Sequence, residues 1–226
     1  MFFDPRFFII VGPFMLLAFF ASMRVKSTFK RYAKVGVISG MTGAQAAMAV
    51  AEAGGAEVTI ERVDGFLSDH YDPRTKTLRL SAAVHDGRSI SAIAVGAHEA
   101  GHALQDVHQY AWLRMRSNLV PLTMMGSRSW IWIFFAGMML QQPGLAWIGV
   151  ILFGLTVIFQ LVTLPVEFDA SRRAKEVLAH TGIVSNEEEA KGVSDVLGAA
   201  AMTYVAGALT AIATLFYYVT LLSGRD

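Results

Sequence analysis

The chain has 226 residues, of which 54% are hydrophobic, and its mean hydropathy of +0.46 is too high for an ordinary soluble domain. Its net charge of +1 gives no electrostatic reason to expect a nucleic-acid partner. The sequence contains no cysteine, which excludes disulfides, thiolate metal ligands and a cysteine nucleophile. We therefore expect a membrane protein.

The first apolar segment, residues 7–23, carries no charge and is followed by a basic cluster. Because the positive residues lie on the wrong side of this run for a signal peptide, we interpret residues 1–23 as a transmembrane helix. The pair Gly12–Pro13 predicts a bend within it. The basic cluster predicts that its C-terminal end faces the cytoplasm.

Residues 24–117 are predicted to form a small α+β lobe. Residues 42–53 combine an N-cap threonine with strong helix formers and end at a pair of glycines. Two alternating segments, residues 57–64 and 75–84, predict strands joined by a loop, and either strand could pair with an extended peptide. Ser89 is then the predicted N-cap of the next helix.

This helix contains the segment AVGAHEAGHALQ, residues 94–105. His98 and His102 are four positions apart, so their imidazoles project from one face and can bind the same metal ion. Glu99 lies one position round the helix, where it is better placed to take a proton from the attacking water than to act as a ligand. The spacing predicts a zinc site. The alternative is that both histidines are ordinary helix residues.

Beyond residue 117 the chain is predicted to cross the membrane three more times. Residues 118–166 form a hairpin of two apolar runs, interrupted by the segment QQPG. Residues 167–197 are charged, and residues 198–226 contain the last apolar run. A rival interpretation, a single helix over residues 129–151, would place both glutamines inside the membrane. The expected fold is therefore an α-helical membrane protein with four transmembrane helices and a small, zincin-like α+β lobe on the cytoplasmic side.

Lys and Arg residues determine the predicted orientation. Of the 19 in the chain, 12 lie in residues 24–117 and 4 lie in residues 167–197, which places both segments in the cytoplasm. Arg128 lies inside an apolar run, where a charge is costly. We expect Arg128 to face the interior of the helix bundle or to belong to a functional site. The alternative is that its long side chain reaches the membrane surface.

A catalytic zinc ion usually has three protein ligands, so one more is needed beside the two histidines. The third ligand must emerge on the cytoplasmic side, and Glu167 does so directly after the third apolar run. The other candidates are Asp169, Glu176 and His180. The candidate donors to the oxyanion of a peptide-cleavage reaction lie in the segment SDHYDP and are His70 and Tyr71.

The segments HEAGHALQ, SDHYDPRTKTLRLS and LPVEFDASRRA together resemble the YugP-like neutral zinc metallopeptidases of bacteria. The layout is also similar to that of HtpX-type and CAAX-prenyl-type membrane proteases, whose Glu-x-x-Ala-Asp motif supplies the third zinc ligand. This resemblance implies that Glu167 is that ligand and that Ala170 matches the alanine. Ser171 stands where the motif has aspartate, so we expect Asp169 or a backbone carbonyl to bind the ring N–H of a ligating histidine.

The resemblance implies a multi-pass zinc metalloendopeptidase of the bacterial cytoplasmic membrane, with Zn²⁺ as cofactor and its active site facing the cytoplasm. His98, His102 and Glu167 would bind the metal, and Glu99 would act as general base. The expected partners are peptide or protein substrates, membrane proteins among them, and the lipid bilayer. The alternative is a catalytically silent zinc-containing membrane scaffold or chaperone partner. Glu99 argues against it, because a structural zinc site needs no base. A transporter is a weaker alternative, since Arg128 is the only charge within the apolar runs.

Overall fold

A computed structural model describes residues 4–224 as a mainly helical protein with one small sheet. The elements in chain order are α1 (Pro5–Ile10), α2 (Gly12–Tyr32), α3 (Gly43–Ala53), β1 (Thr59–Val63), β2 (His70–Asp72), β3 (Thr77–Ser81), α4 (Ala82–His85), α5 (Ile90–Val107), α6 (Ala111–Met139), α7 (Pro143–His180) and α8 (Glu187–Ser223).

The described chain divides into two compact units. The apolar unit comprises residues 4–21, 114–164 and 203–224. The sheet unit comprises residues 22–113 and 165–202.

The sheet has the strand order β1-β3-β2. β1 runs parallel to β3, with Thr59 opposite Thr77, and β2 runs antiparallel to β3, with His70 opposite Arg79. Both predicted strands are confirmed in their central parts, but the predicted loop between them contains β2, and the end of the second strand is the short helix α4. Because β3 has a neighbour on each side, it has no open edge to pair with a peptide, and the sequence-based prediction for that strand is wrong.

Two predicted N-caps are confirmed in the sheet unit. The hydroxyl of Thr42 accepts a hydrogen bond from the Gln45 amide at 3.2 Å, and the Gln45 side chain accepts one from the Thr42 amide at 2.9 Å. This reciprocal capping box satisfies two amides that the first turn of α3 leaves without helical partners. The hydroxyl of Ser89 likewise accepts a hydrogen bond from the Ala92 amide and begins α5.

One continuous apolar core fills the sheet unit. Leu78 and Leu80 of β3 are fully buried in it, as is Ile93 of α5. The later part of the chain contributes Leu178 of α7 and Val193 of α8, which are 1% and 2% exposed. The core therefore fixes α5 against the part of α7 that follows the long apolar run.

The helices of the apolar unit break where the sequence predicts. α1 and α2 are separated at Val11, next to the predicted bend. α6 ends at Met139 and α7 begins at Pro143, which confirms the interruption and excludes a single helix over residues 129–151.

Two glycine contacts bring α6 and α7 together within the apolar unit. A Cβ atom on Gly137 would lie 2.3 Å from the backbone of Ala146, and one on Gly149 would lie 2.7 Å from the backbone of Phe134. Such close backbone contact is possible only because glycine has no side chain. The two helices form a hairpin whose turn is residues 140–142.

Two helices, α7 and α8, are long and apolar enough to cross a membrane by length and composition. The other two predicted spans do not meet this test among the described residues. The run at residues 7–23 is divided between α1 and α2, and α6 carries the exposed residue Arg128 in its apolar part. The count of four transmembrane helices therefore stays a prediction.

Candidate metal centre

Helix α5 presents the two predicted histidine ligands on one face. The ring centroids of His98 and His102 are 4.8 Å apart and the rings are inclined by 80°. His102 is buried, with 7% of its surface exposed, and the His98 side chain is 13% exposed. The spacing of four residues thus produces the common face that the sequence predicts.

Helix α7 supplies the third group, Glu167, which is 2% exposed. Its Oε2 atom lies 3.2 Å from His98 Nε2 and 3.7 Å from His102 Nε2. One possible ligand atom from each of the three residues lies within 4.8 Å of the others. The structure therefore brings together the three residues predicted as ligands.

A glycine allows the two helices to approach this closely. A Cβ atom on Gly101 would lie 2.5 Å from the carbonyl oxygen of Ala170, a distance that real side chains do not adopt. Ala170 is itself fully buried. The backbones of α5 and α7 are therefore in contact one turn from the Glu167 carboxylate, and larger residues at either position would separate the histidines from Glu167.

The donor set fits zinc. Two imidazole nitrogens and one carboxylate oxygen form a common ligand set for catalytic zinc, with one position left for water. In a tetrahedral site with bonds of about 2.0–2.1 Å, neighbouring ligand atoms lie about 3.3 Å apart, close to the two distances from Glu167. A buried carboxylate also needs a cationic or hydrogen-bonding partner, and a metal ion between the three groups would provide one.

Glu99 is buried next to this cluster, with 8% of its surface exposed. Burial raises the pKa of its carboxyl group to about 7, with the negative charges of Glu167 and Asp69 adding to the rise and the His98 ring opposing it. Its carboxylate accepts no hydrogen bond from the residues that the structure describes. The Glu99 carboxylate is therefore available to accept a proton, and it lies beside the three groups that could bind a metal ion.

Ser171 is the partner of His98. Its hydroxyl oxygen lies 3.1 Å from His98 Nδ1, the ring nitrogen that faces away from Glu167. The prediction that Asp169 or a backbone carbonyl takes this place is wrong for His98, since the serine hydroxyl itself reaches the ring. A hydroxyl can donate or accept, so it suits either state of the ring.

Gln105 is the partner of His102. Its Oε1 atom lies 3.0 Å from His102 Nδ1, and its Nε2 atom donates to the Val166 carbonyl at 2.7 Å and to Asp169 Oδ2 at 3.0 Å. Gln105 is fully buried. Gln105 is not among the residues predicted from the sequence, although a residue three positions after His102 on the same helix is a natural neighbour of that ring.

The other candidates for the third ligand have different partners. Asp169 accepts hydrogen bonds from Gln105 and from Arg173 Nε, the latter at 2.6 Å, and it also pairs with Arg172. Glu176 binds Arg172 at 2.8 Å. His180 is an exposed residue at the end of α7. Among the described residues, the group that could hold a metal ion is the one that contains Glu167.

The family model described as "Putative neutral zinc metallopeptidase" matches residues 7–223. The chain belongs to this family. The protein named "Putative membrane protease YugP" of Bacillus subtilis (strain 168) is 46% identical over 212 residues, which cover 93% of this chain and 94% of that relative. These matches confirm the resemblance drawn from the three sequence segments. No solved structure matches the chain.

The predicted oxyanion donors of this family member belong to β2, and both already form hydrogen bonds. Tyr71 donates its hydroxyl hydrogen to Asp106 Oδ2 at 2.9 Å, and burial together with that bond raises the pKa of the tyrosine. His70 is exposed, and its Nδ1 atom lies 2.9 Å from the Ser68 carbonyl oxygen. Because a carbonyl only accepts, Nδ1 carries the proton, and the neutral ring has no second N–H to donate. The oxyanion role of both residues stays a prediction.

Proposed function

We propose that the protein is a zinc endopeptidase that hydrolyses peptide bonds of protein substrates at the cytoplasmic face of a bacterial membrane. The observation that carries the proposal is the convergence of His98, His102 and Glu167, with Glu99 buried beside them. Membership of a zinc metallopeptidase family supports the class of reaction. The relative named as a membrane protease supports the location.

In the proposed reaction, His98, His102 and Glu167 hold the metal. Zn²⁺, when bound, supplies a Lewis acid that polarises the scissile carbonyl and lowers the pKa of a water molecule to about 7. Glu99 takes a proton from the attacking water and returns it to the leaving amine. Its burial beside the three ligand groups places the Glu99 carboxyl where it can exchange a proton with a water molecule on the metal.

Substrate is proposed to bind as an extended peptide along an edge of the sheet. β2 is the edge strand that is tied to α5, through the bond from Tyr71 to Asp106. A peptide added beside it would be held by main-chain hydrogen bonds, which recognise no particular side chain. His70 and Tyr71 would donate to the oxyanion only after breaking the bonds they now make, or, for His70, after taking up a second proton.

The bilayer is proposed to surround the apolar unit. Large apolar side chains of this unit are exposed, among them Ile9, Met125, Trp132 and Ile151, at 72%, 71%, 74% and 67%. Water disfavours such a surface and lipid favours it. The excess of Lys and Arg in residues 24–117 supports an orientation with these residues in the cytoplasm, and four transmembrane helices are the proposed arrangement.

The first test measures zinc content and casein proteolysis on the detergent-purified full chain and on three variants. Glu167→Gln is expected to lose bound zinc, because it replaces a charged ligand. Glu99→Gln is expected to keep one zinc ion per chain and to lose cleavage by at least about 100-fold, because it removes the base. Glu52→Gln, an exposed glutamate of the same unit, is the matched control and is expected to match the wild type in both assays.

Other results would revise the proposal in specific ways. Full zinc and full activity in Glu167→Gln would place the third ligand elsewhere. If wild type and Glu52→Gln bound zinc but cleaved nothing, the scaffold function would replace the peptidase.

A second test addresses orientation, and the cysteine-free chain makes it simple. Gln142→Cys places a thiol in the turn between α6 and α7, and Lys76→Cys places one in the turn before β3; both positions are exposed. In intact cells, a membrane-impermeant maleimide is expected to label only the first. Labelling of the second without permeabilisation would refute the cytoplasmic orientation.

A further inference from the structure

We propose that Gln105 is a positioning residue that fixes the tautomer of His102, and that Asp169 fixes Gln105. The inference rests on the proposed zinc site and goes beyond it, because neither residue belongs to the group His98, His102 and Glu167 or acts as the base. It starts from the fact that a neutral imidazole carries one proton, on Nδ1 or on Nε2. Only a ring protonated on Nδ1 presents the lone pair of Nε2 towards Glu167.

The orientation of the Gln105 amide is determined by its surroundings. Its Nε2 atom faces two groups that can only accept at neutral pH, the Val166 carbonyl at 2.7 Å and the Asp169 carboxylate at 3.0 Å. If the amide were turned over, an oxygen would face two oxygens and both hydrogen bonds would become repulsions. The amide oxygen must therefore face His102.

This orientation determines the state of the His102 ring. An amide oxygen only accepts, so the His102 Nδ1 atom, 3.0 Å away, must be the donor. The ring then has no proton on Nε2 unless it is charged, and Nε2 is the atom that lies 3.7 Å from Glu167 Oε2. His102 is thus held in the state that a metal ligand requires, before any metal binds.

Asp169 is in turn fixed as an acceptor. Its Oδ2 atom also accepts a hydrogen bond from Arg173 Nε at 2.6 Å, and its Oδ1 atom pairs with Arg172. Arg173, Gln105 and Arg172 therefore all donate to this one carboxylate. The two arginines therefore orient Asp169, Asp169 orients the Gln105 amide, and Gln105 fixes the tautomer of His102.

His98 provides an internal comparison. Its Nδ1 atom faces the Ser171 hydroxyl at 3.1 Å, which can donate or accept, and its Nε2 atom lies 3.2 Å from Glu167 Oε2, which only accepts; Ser171 therefore does not hold the proton on Nδ1 as Gln105 does for His102. The two histidines differ in this respect, although they occupy equivalent places on α5. Removing the partner should therefore have a larger effect at His102 than at His98.

The test measures the dissociation constant for Zn²⁺ by competition with a chromogenic chelator, on the full chain in detergent. Gln105→Met keeps the length of the side chain and removes its polar atoms, and is expected to weaken zinc binding about 10–100-fold. Ser171→Ala is expected to weaken it by less than about fivefold. The matched control is Ser91→Ala, which removes a buried hydrogen bond from α5 to the Phe29 carbonyl and should leave zinc binding unchanged.

A rescue variant separates positioning from packing. Gln105→Glu combined with Asp169→Asn exchanges amide and carboxylate. One oxygen of residue 105 still accepts from His102, and the amide of residue 169 can donate to the other oxygen, which also meets the Val166 carbonyl. Because the contact with the Val166 carbonyl is unfavourable, we expect zinc binding weaker than in the wild type but at least about threefold tighter than in Gln105→Met. We also expect the Co²⁺-substituted protein to have the wild-type absorption spectrum, whereas that of Gln105→Met changes. If the double variant were as weak as Gln105→Met, the acceptor role of Gln105 would be refuted.

Wild-type protein provides a measurement that does not depend on folding of the variants. In the zinc-free chain labelled with ¹⁵N-histidine, the His102 signal, identified by its loss in His102→Asn, should report a proton on Nδ1. A proton on Nε2 would overturn the inference. If the wild type bound no zinc at all, the proposed function would fail. If it bound zinc and Gln105→Met bound it equally well, only the present inference would fail.

Discussion

The apolar unit exposes more of its large apolar side chains than the sheet unit does. In the apolar unit, the large side chains of Met125 and Trp132 are 71% and 74% exposed. In the sheet unit, Leu78 and Leu80 are fully buried, and the buried residue Gln105 has a hydrogen-bond partner for both of its polar atoms. The difference is what the proposed membrane location would produce, because a unit in water needs a closed apolar core, whereas a unit in lipid can expose apolar side chains.

The largest stability effect is expected from opening the core of the sheet unit. Leu80→Ala removes a fully buried side chain and should lower the free energy of unfolding by about 4 kcal/mol. Ile151→Ala, at a position 67% exposed in the apolar unit, should change it by less than about 0.5 kcal/mol. Urea denaturation in detergent measures both. Equal losses would mean that the two units do not differ in how they bury apolar surface.

Gly101→Val should have the next largest effect, because its side chain would meet the Ala170 carbonyl. We expect a loss of about 3 kcal/mol in the free energy of unfolding and loss of bound zinc. Gly154→Ala in the apolar unit, where nothing lies within 4 Å of the added Cβ, should be neutral or stabilising. Zinc analysis and denaturation of both variants test this. Normal zinc content in Gly101→Val would show that the contact of α5 with α7 does not position the ligands.

A lysine substitution should distinguish an exposed apolar residue that faces lipid from one that faces water. Ile151→Lys places a charge on the apolar run of α7 and should disfavour membrane insertion by about 2.5 kcal/mol. Ile38→Lys, at a position 75% exposed in the sheet unit, should leave insertion unchanged. The membrane-bound fraction of each variant after carbonate extraction is the measurement. Equal extraction of the two would argue against lipid around Ile151.

The smallest expected effect comes from a helix cap. Thr42→Ala removes one half of the capping box and should lower the free energy of unfolding by about 1 kcal/mol, with zinc binding unchanged. Thr42→Ser keeps the hydroxyl and is the control. Because α3 packs directly on α5 through Gly43 and Gly96, a loss of zinc in Thr42→Ala would show that the cap also positions the helix that carries the histidines.

Features that depend on neighbouring residues could be predicted from the sequence. The caps at Thr42 and Ser89 and the break at residues 140–142 follow from side chains that satisfy, or cannot continue, the local backbone. The spacing of His98 and His102 also fixes a common face before any tertiary structure forms. Because residues close together in the chain determine these features, a single sequence is enough to predict them.

Features that depend on distant partners could not be predicted in the same way. β2 has only three residues and forms because β3 lies beside it, so the local pattern shows only a loop. α7 continues through Pro165 to His180, because tertiary packing of its final turns overrides the predicted change of character at residue 167. The contact of Ser171 with His98 joins residues 73 positions apart and needs the helices to be in place first.

The length of β2 has a consequence for how substrates would be selected. Three edge residues offer an extended peptide only a few main-chain hydrogen bonds, each with a net value of about 1 kcal/mol. Such a short edge would bind free peptides weakly. A segment anchored in the same bilayer would instead be present at an effective concentration in the millimolar range. An enzyme with this edge would therefore choose its substrates by where they are anchored more than by which residues they contain.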